Sequence, residues 1–363
     1  MFYLSHLFFL YTIILLYSHL IDSIHDMKIL YSFLMLFVVA FASLGDNLPE
    51  FQSCLYQCDC HVIPQSIFWS CPANCNYYCQ QLITDQLESL NVPMVQFYGK
   101  WPFKRVLGVQ EFFAMIFSIG NLYVNYKNLR IIYRQFRRNE SEYKTMYVQY
   151  LILLIVTCIG WSFSVIFHFK DTTMSETLDY FGAFAIILCN LNAIVVRVFQ
   201  LFKHRKKLII WHTALVALYL YHVIRLKRNW DYSYNTLINI IVGVSAMILW
   251  CFHLWRVYRV YNQKRIIYNN SIQLLPYETK LLQKLSYVGM SLSSLIPLIP
   301  IFNNVMLLLG ISLELNDFPP VARLVDAHAL WHLVTIFPSI IWFDWNVWDI
   351  EMLKITNNSE TKV

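Results

Sequence analysis

The sequence predicts an all-α membrane protein: seven transmembrane helices preceded by a small lumenal disulfide-rich segment and a signal peptide. Three observations predict it. The 363-residue chain is 58% hydrophobic and 17% aromatic with only 14% charged residues, where a soluble domain carries about a quarter. Apolar runs near the roughly 20 residues needed to cross a bilayer recur along it. Basic residues fall in short clusters between those runs, which is the pattern membrane topology requires. The formal charge of +6 is therefore no sign of a nucleic-acid partner.

The N-terminal region comes first. Residues 1–22 form one apolar run, and a second follows Met27. Met27-Lys28, the apolar stretch from Ile29 and Ala40-Phe41-Ala42 before Ser43 read as a secretory signal with a small-residue cleavage site. On this reading Met27 is the true start; an uncleaved extra anchor is the alternative. Residues 43–104 are polar and hold six of the nine cysteines: Cys54, Cys58, Cys60, Cys71, Cys75 and Cys79. An even count after a signal argues for disulfides in an oxidising lumen, with the pairing open. A zinc knuckle competes, but only His61 interleaves the cluster. Cys158, Cys189 and Cys251 lie in apolar runs and are expected to be buried thiols.

The spans are placed near 106–125, 146–168, 178–202, 208–225, 234–255, 285–311 and 325–347, giving a transmembrane domain over 105–348 and a cytoplasmic tail over 349–363. Pro297 and Pro300 predict a kink in the sixth. The first, third and fifth loops carry most of the Lys and Arg, including Arg137, Arg138, Lys206, Lys207, Lys264 and Arg265, and so are cytoplasmic. The cysteine segment is then lumenal. Three glycosylation sequons, at Asn139, Asn269 and Asn357, fall on the cytoplasmic side and should carry no sugar.

This topology brings distant polar residues to one depth: Ser164 and His168 at the lumenal end of the second span, Asp179 near the start of the third, and His328 and His332 at the start of the seventh. Ionisable groups inside membrane spans are costly and mark functional sites. Residues four apart share a helix face, so a His-x-x-x-His pair can direct two imidazoles to one metal, and His168 would supply a third. Three histidines with an open fourth position is a catalytic zinc ligand set. Each residue also has a structural reading: a packing histidine, a serine bonded to its own helix, an aspartate favoured by the helix dipole. The shared depth favours the joint reading. His222 is the rival ligand; Asp326 could orient an imidazole or cap its helix, and Glu111 is a weaker supporting candidate.

Longer strings carry a resemblance: Gly45-Asp46-Asn47-Leu48, the six cysteines, Gln96-Phe97-Tyr98-Gly99-Lys100-Trp101-Pro102-Phe103, Gln110-Glu111-Phe112-Phe113, Phe117-Ser118-Ile119-Gly120-Asn121, Leu178-Asp179-Tyr180-Phe181 and Asp326-Ala327-His328-Ala329-Leu330-Trp331-His332. Over roughly residues 45–350 the chain resembles the post-GPI-attachment remodelling factors, often described as GPI phospholipase A2. That family is similar to a wider group of seven-helix hydrolases including alkaline ceramidases and adiponectin-receptor-like proteins. The resemblance implies Zn2+ on His168, His328 and His332, with Ser164 and Asp179 lining the catalytic water. It implies an endoplasmic reticulum enzyme that removes the sn-2 fatty acid from the anchor of GPI-anchored proteins. Departures are the extra N-terminal run and a short cysteine segment. The C-terminal Glu360-Thr361-Lys362-Val363 is no retrieval signal, so the compartment rests on the resemblance alone. Three alternatives stay open: ceramide amide hydrolysis, a receptor with structural zinc, and a non-enzymatic cargo factor.

Overall fold

The computed structural model describes residues 44–59, 67–139, 141–268, 277–287, 289–290 and 292–360. The expected signal peptide, Cys60, His61 and Asn269 lie outside the described residues. Two helices, α1 (Pro49–Gln57) and α2 (Cys71–Ser89), build a small N-terminal unit. Cys54–Cys79 and Cys58–Cys75 staple them together, and Cys71 is also disulfide-bonded. These bonds exclude the zinc-knuckle reading. Phe51, Cys79, Ile83 and Phe97 form its small core, too little to hold such a segment without disulfides.

The bundle follows: α3 (Phe112–Arg138), α4 (Ser141–Phe169), α5 (Thr173–Val198), α6 (Arg205–Arg228), α7 (Tyr232–Tyr268), the short α8 (Glu278–Ser286), α9 (Ile299–Asn316) and α10 (Ala327–Glu360). Among the described residues, five segments are long and apolar enough to cross a membrane: Tyr143–Phe169, Thr173–Val198, Arg205–Arg228, Tyr232–Asn262 and Ser293–Asn316. Helices α3 and α10 match the first and last expected spans in place but fall short of that apolarity. The reason is a shared polar seam. Ser118, Asn121, Asn125 and Asn128 on α3 are buried, and asparagine amides bond α10: Asn121 Nδ2 donates to His332 O at 2.7 Å, Asn128 Nδ2 to Ser339 O at 2.7 Å.

Several boundaries need correction. Residues 106–111 form a turn, not the start of a span, and α3 runs on to Arg138. The expected sixth span starts too early and ends too soon: residues 285–286 close a separate helix (Glu278–Ser286), and a 3-10 turn (Ser293–Leu298) leads into α9, which runs to Asn316. Pro297 lies in that turn and Pro300 in the first turn of α9, where its missing N–H costs nothing, so neither kinks an α-helix. The tail expected after residue 348 is helical through Glu360. The three thiols expected to be buried are not: Cys158 and Cys189 are half-buried and Cys251 is exposed.

Packing fixes the site's walls. Helices α4 and α5 approach closely at Gly160 and Gly182; a Cβ on Gly182 would meet the Gly160 Cα at 3.1 Å. That contact sets α4, with Ser164 and His168, against α5, with Asp179. The bundle's main hydrophobic clusters, around Trp250, Trp345 and Trp348 and around Tyr147, Tyr150 and Phe343, fill the half away from the histidines. The disulfide unit sits over the histidine end: Lys170 Nζ donates to Phe68 O at 2.8 Å, and Arg323, in the α9–α10 loop, pairs with Asp85 and Glu88 of α2 at 2.6 and 2.7 Å. The cysteine segment and the histidines thus share one end, as the sequence led us to expect.

Candidate metal centre

His328 and His332 lie on the first two turns of α10, whose start is capped by Asp326: its Oδ1 accepts from Ala329 N at 2.8 Å. Capping is the Asp326 alternative the structure selects. His168 lies one residue before the end of α4. Gln110 and Glu111 dock on that end, their backbone N–H groups donating to Phe169 O and His168 O at 3.1 and 3.0 Å. Two of the terminus's four free carbonyls are thereby satisfied.

The three imidazoles converge. His332 Nε2 lies 2.8 Å from His328 Nε2 and 3.2 Å from His168 Nε2. His168 and His332 are buried, and His328 is half-buried. Each outer nitrogen has a partner: His168 Nδ1 contacts Glu111 Oε2 at 2.5 Å, His328 Nδ1 contacts Glu314 Oε2 at 2.7 Å, and His332 Nδ1 contacts Ser118 Oγ at 3.3 Å. A carboxylate can only accept, so Nδ1 of His168 and of His328 carries the proton, and their Nε2 lone pairs point inward. Lone pairs this close repel unless a cation lies between them. Tetrahedral nitrogen ligands at about 2.0 Å from a metal stand about 3.3 Å apart, close to the spacing found. The donor set therefore fits a metal ion, and the three histidines form the cluster able to hold one among the described residues.

Ser164 and Asp179 flank this centre. Ser164 Oγ is 3.1 Å from Ser118 Oγ and is a hydrogen-bond partner of the Asp179 carboxyl, which also faces His168 and His328. Asp179 is not the helix cap: Thr172 and Ser175 form the capping box of α5. Glu111 stands at the N-cap of α3 rather than inside a span. Ser118 and Glu314 were missed. Ser118 was legible as the first member of the polar seam; Glu314, at the far end of an apolar helix, gave no signal. His222 is no rival: it is buried against the rings of Phe184, Phe181 and Tyr234.

Residues 61–350 match the Per1-like family. The chain belongs to the Per1-like family. Among its relatives, protein PER1 of Saccharomyces cerevisiae is 32% identical over 335 residues, covering 83% of this chain and 91% of the yeast protein. Post-GPI attachment to proteins factor 3 of Drosophila melanogaster is 32% identical over 322 residues, covering 81% of this Per1-like chain and 85% of the fly protein. The Homo sapiens protein named GPI-specific phospholipase A2-like PGAP3 is 28% identical over 341 residues, 89% and 94% of the two chains.

Proposed function

We propose that this Per1-like protein is a zinc-dependent acyl hydrolase that removes the sn-2 fatty acid from the lipid of GPI-anchored proteins in the endoplasmic reticulum membrane. The observation that carries it is the convergence of three imidazole Nε2 atoms beside Ser164 and Asp179. The substrate comes from the names of the relatives, which speak of GPI attachment and of a GPI-specific phospholipase A2-like activity.

His168, His328 and His332 would hold the zinc, which when bound supplies Lewis-acid activation of water and of the ester carbonyl. Asp179 accepts the proton of the attacking water and hands it to the departing glycerol oxygen. Once Asp179 has taken that proton, the Ser164 hydroxyl hydrogen turns from the Asp179 carboxyl to the oxygen that gains negative charge. Ser164 as nucleophile is disfavoured because no neighbouring imidazole is free to act as its base. Ser118 and the two glutamates hold the imidazoles' tautomers and angles.

In this reading α3 and α10 cross the membrane with the five apolar segments, the polar seam between them being shielded from lipid by their mutual packing. The histidine end faces the lumen, which suits both the disulfides and an anchor displayed on that side. Purified protein should release free fatty acid and a lyso-lipid from a GPI substrate, lose that activity to a zinc chelator and regain it with zinc. Ceramide run in parallel separates ester from amide hydrolysis. Zinc-loaded, folded protein that cleaves neither lipid would end the enzymatic reading.

A further inference from the structure

The Glu111 carboxylate has two neighbours. Its Oε2 meets His168 Nδ1, and its Oε1 lies 3.5 Å from Lys100 Nζ. The same ammonium stands 2.5 Å from Asp171 Oδ2 and 4.1 Å from the centroid of the Phe167 ring. One cation thus sits between two carboxylates, directly behind the residue pair that orients a ligand imidazole.

Lys100 does not belong to the bundle. It closes a two-residue turn in which Phe97 N donates to Lys100 O at 2.8 Å and Lys100 N to Phe97 O at 3.0 Å. Tyr98 and Gly99, at φ +52° and +76°, take the left-handed pair of conformations such a turn demands. Phe97 is packed in the disulfide unit with Phe51 and Cys79, and Tyr98 N donates to Asp46 Oδ1. The turn is therefore bolted to the stapled α1–α2 pair, and from there Lys100 reaches Glu111 and Asp171.

We propose that Lys100 is a positioning residue for the metal centre: it holds the Glu111 carboxylate against His168, making metal retention depend on the extramembrane disulfide unit. This rests on the metal reading above. The side chain of Glu111 is only 9% exposed, and a buried carboxylate without a counter-charge is strongly disfavoured. Without Lys100, Glu111 and Asp171 face each other as like charges. Glu111 then swings toward water, and His168 loses the acceptor that fixes its tautomer and ring angle. Outer partners of metal-bound imidazoles typically contribute about 10–100-fold in metal affinity.

The test compares full-length wild type, K100M and K100R. K100M keeps an unbranched side chain of similar length beside Phe167 and removes the charge; K100R keeps the charge. Zinc transfer from purified protein to a chelator is timed, and kcat and KM for lyso-lipid release are measured. Expected is about 10–100-fold faster zinc loss in K100M, with kcat lowered, KM and disulfide content unchanged, and near wild-type behaviour in K100R. K100M and K100R behaving alike, whether both retentive or both leaky, would overturn the role of the charge. Wild type that never holds zinc would overturn the metal reading and this inference with it; zinc-loaded wild type matched by K100M overturns this inference alone.

Discussion

Glu314 near the end of α9 and His328 at the start of α10 meet at 2.7 Å, closing the loop between the two helices. Glu111 makes the equivalent contact to His168 at 2.5 Å. The two carboxylates differ in exposure, 42% for the Glu314 side chain and 9% for Glu111. Water can replace an exposed acceptor but not a buried one. Glu314→Ala should therefore weaken zinc retention by about tenfold, and Glu111→Ala should fall toward the hundredfold end of the usual range. Equilibrium zinc competition on both purified variants checks the order. The reverse order would show that burial does not set the strength of these contacts.

Asp179→Asn separates chemistry from metal binding. Asp179 is not among the three converging imidazoles, so zinc content should stay at the wild-type level. The amide cannot take the water's proton, and kcat should fall by about 10²–10⁴. Ser164→Ala should lower kcat by about 10²–10³ with little change in KM. A zinc-loaded Asp179→Asn protein with full hydrolytic activity would remove Asp179 from the mechanism.

The histidines and Asp179 were legible because two simple regularities coincide: residues four apart share a helix face, and alternate helix ends share a side. His168, His328 and His332 needed nothing else. Glu314 and Lys100 were not legible as partners. Each reaches the centre through a turn or loop whose path depends on tertiary contacts, such as Asp317 accepting from Gln96 and Trp101 at 2.8 Å. The ends of α3 and α10 were misjudged for a related reason. Their buried asparagines, serines and aspartates lower hydropathy where helix–helix packing, not lipid, surrounds them. Glu111 was underrated because its value comes from docking on the end of α4, a contact no local pattern announces.

The disulfides should matter to the bundle as well as to their own unit. Cys54–Cys79 and Cys58–Cys75 close loops of 25 and 17 residues in sequence separation. Each contributes on the order of 2–4 kcal/mol by restricting the unfolded chain. The Cys54→Ser/Cys79→Ser variant should unfold its N-terminal unit first, seen as protease cleavage within residues 44–104, and then lose zinc faster than wild type. Zinc retention unchanged after that cleavage would show the bundle end to be independent of the unit above it.

Side of the membrane can be read with sugar. Asn139 and Asn357 lie together at the end opposite the histidines, Asn139 contacting Lys354 and Asn357 donating to Tyr143 Oη at 2.9 Å. Neither should be glycosylated. Pro93→Ser creates an acceptor at Asn91, which is exposed at the end of α2, and should add one glycan seen as a shift reversed by an endoglycosidase. Sugar on Asn139 or Asn357 of the native protein would invert the topology.

The half of the bundle away from the histidines is tied by a buried ion cluster. Arg197 on α5 bonds Asp349 on α10 through Nε and Nη2 at 2.6 and 2.9 Å, and His253 on α7 contacts the same carboxylate at 3.1 Å. The side chains of Arg197 and Asp349 are 8% and 1% exposed. Removing Arg197 leaves the buried Asp349 charge with only its His253 contact, so Arg197→Ala should cost about 3–5 kcal/mol. Replacing both by apolar groups of similar size removes both desolvation penalties. Arg197→Met/Asp349→Leu should therefore unfold later than Arg197→Ala, despite losing more polar contacts. Chemical unfolding in detergent ranks the variants, with zinc content of the folded fraction as the control because the centre lies at the other end. A double variant less stable than the single one would show that the ion pair is a net stabiliser of the helix packing rather than a matched pair of costs.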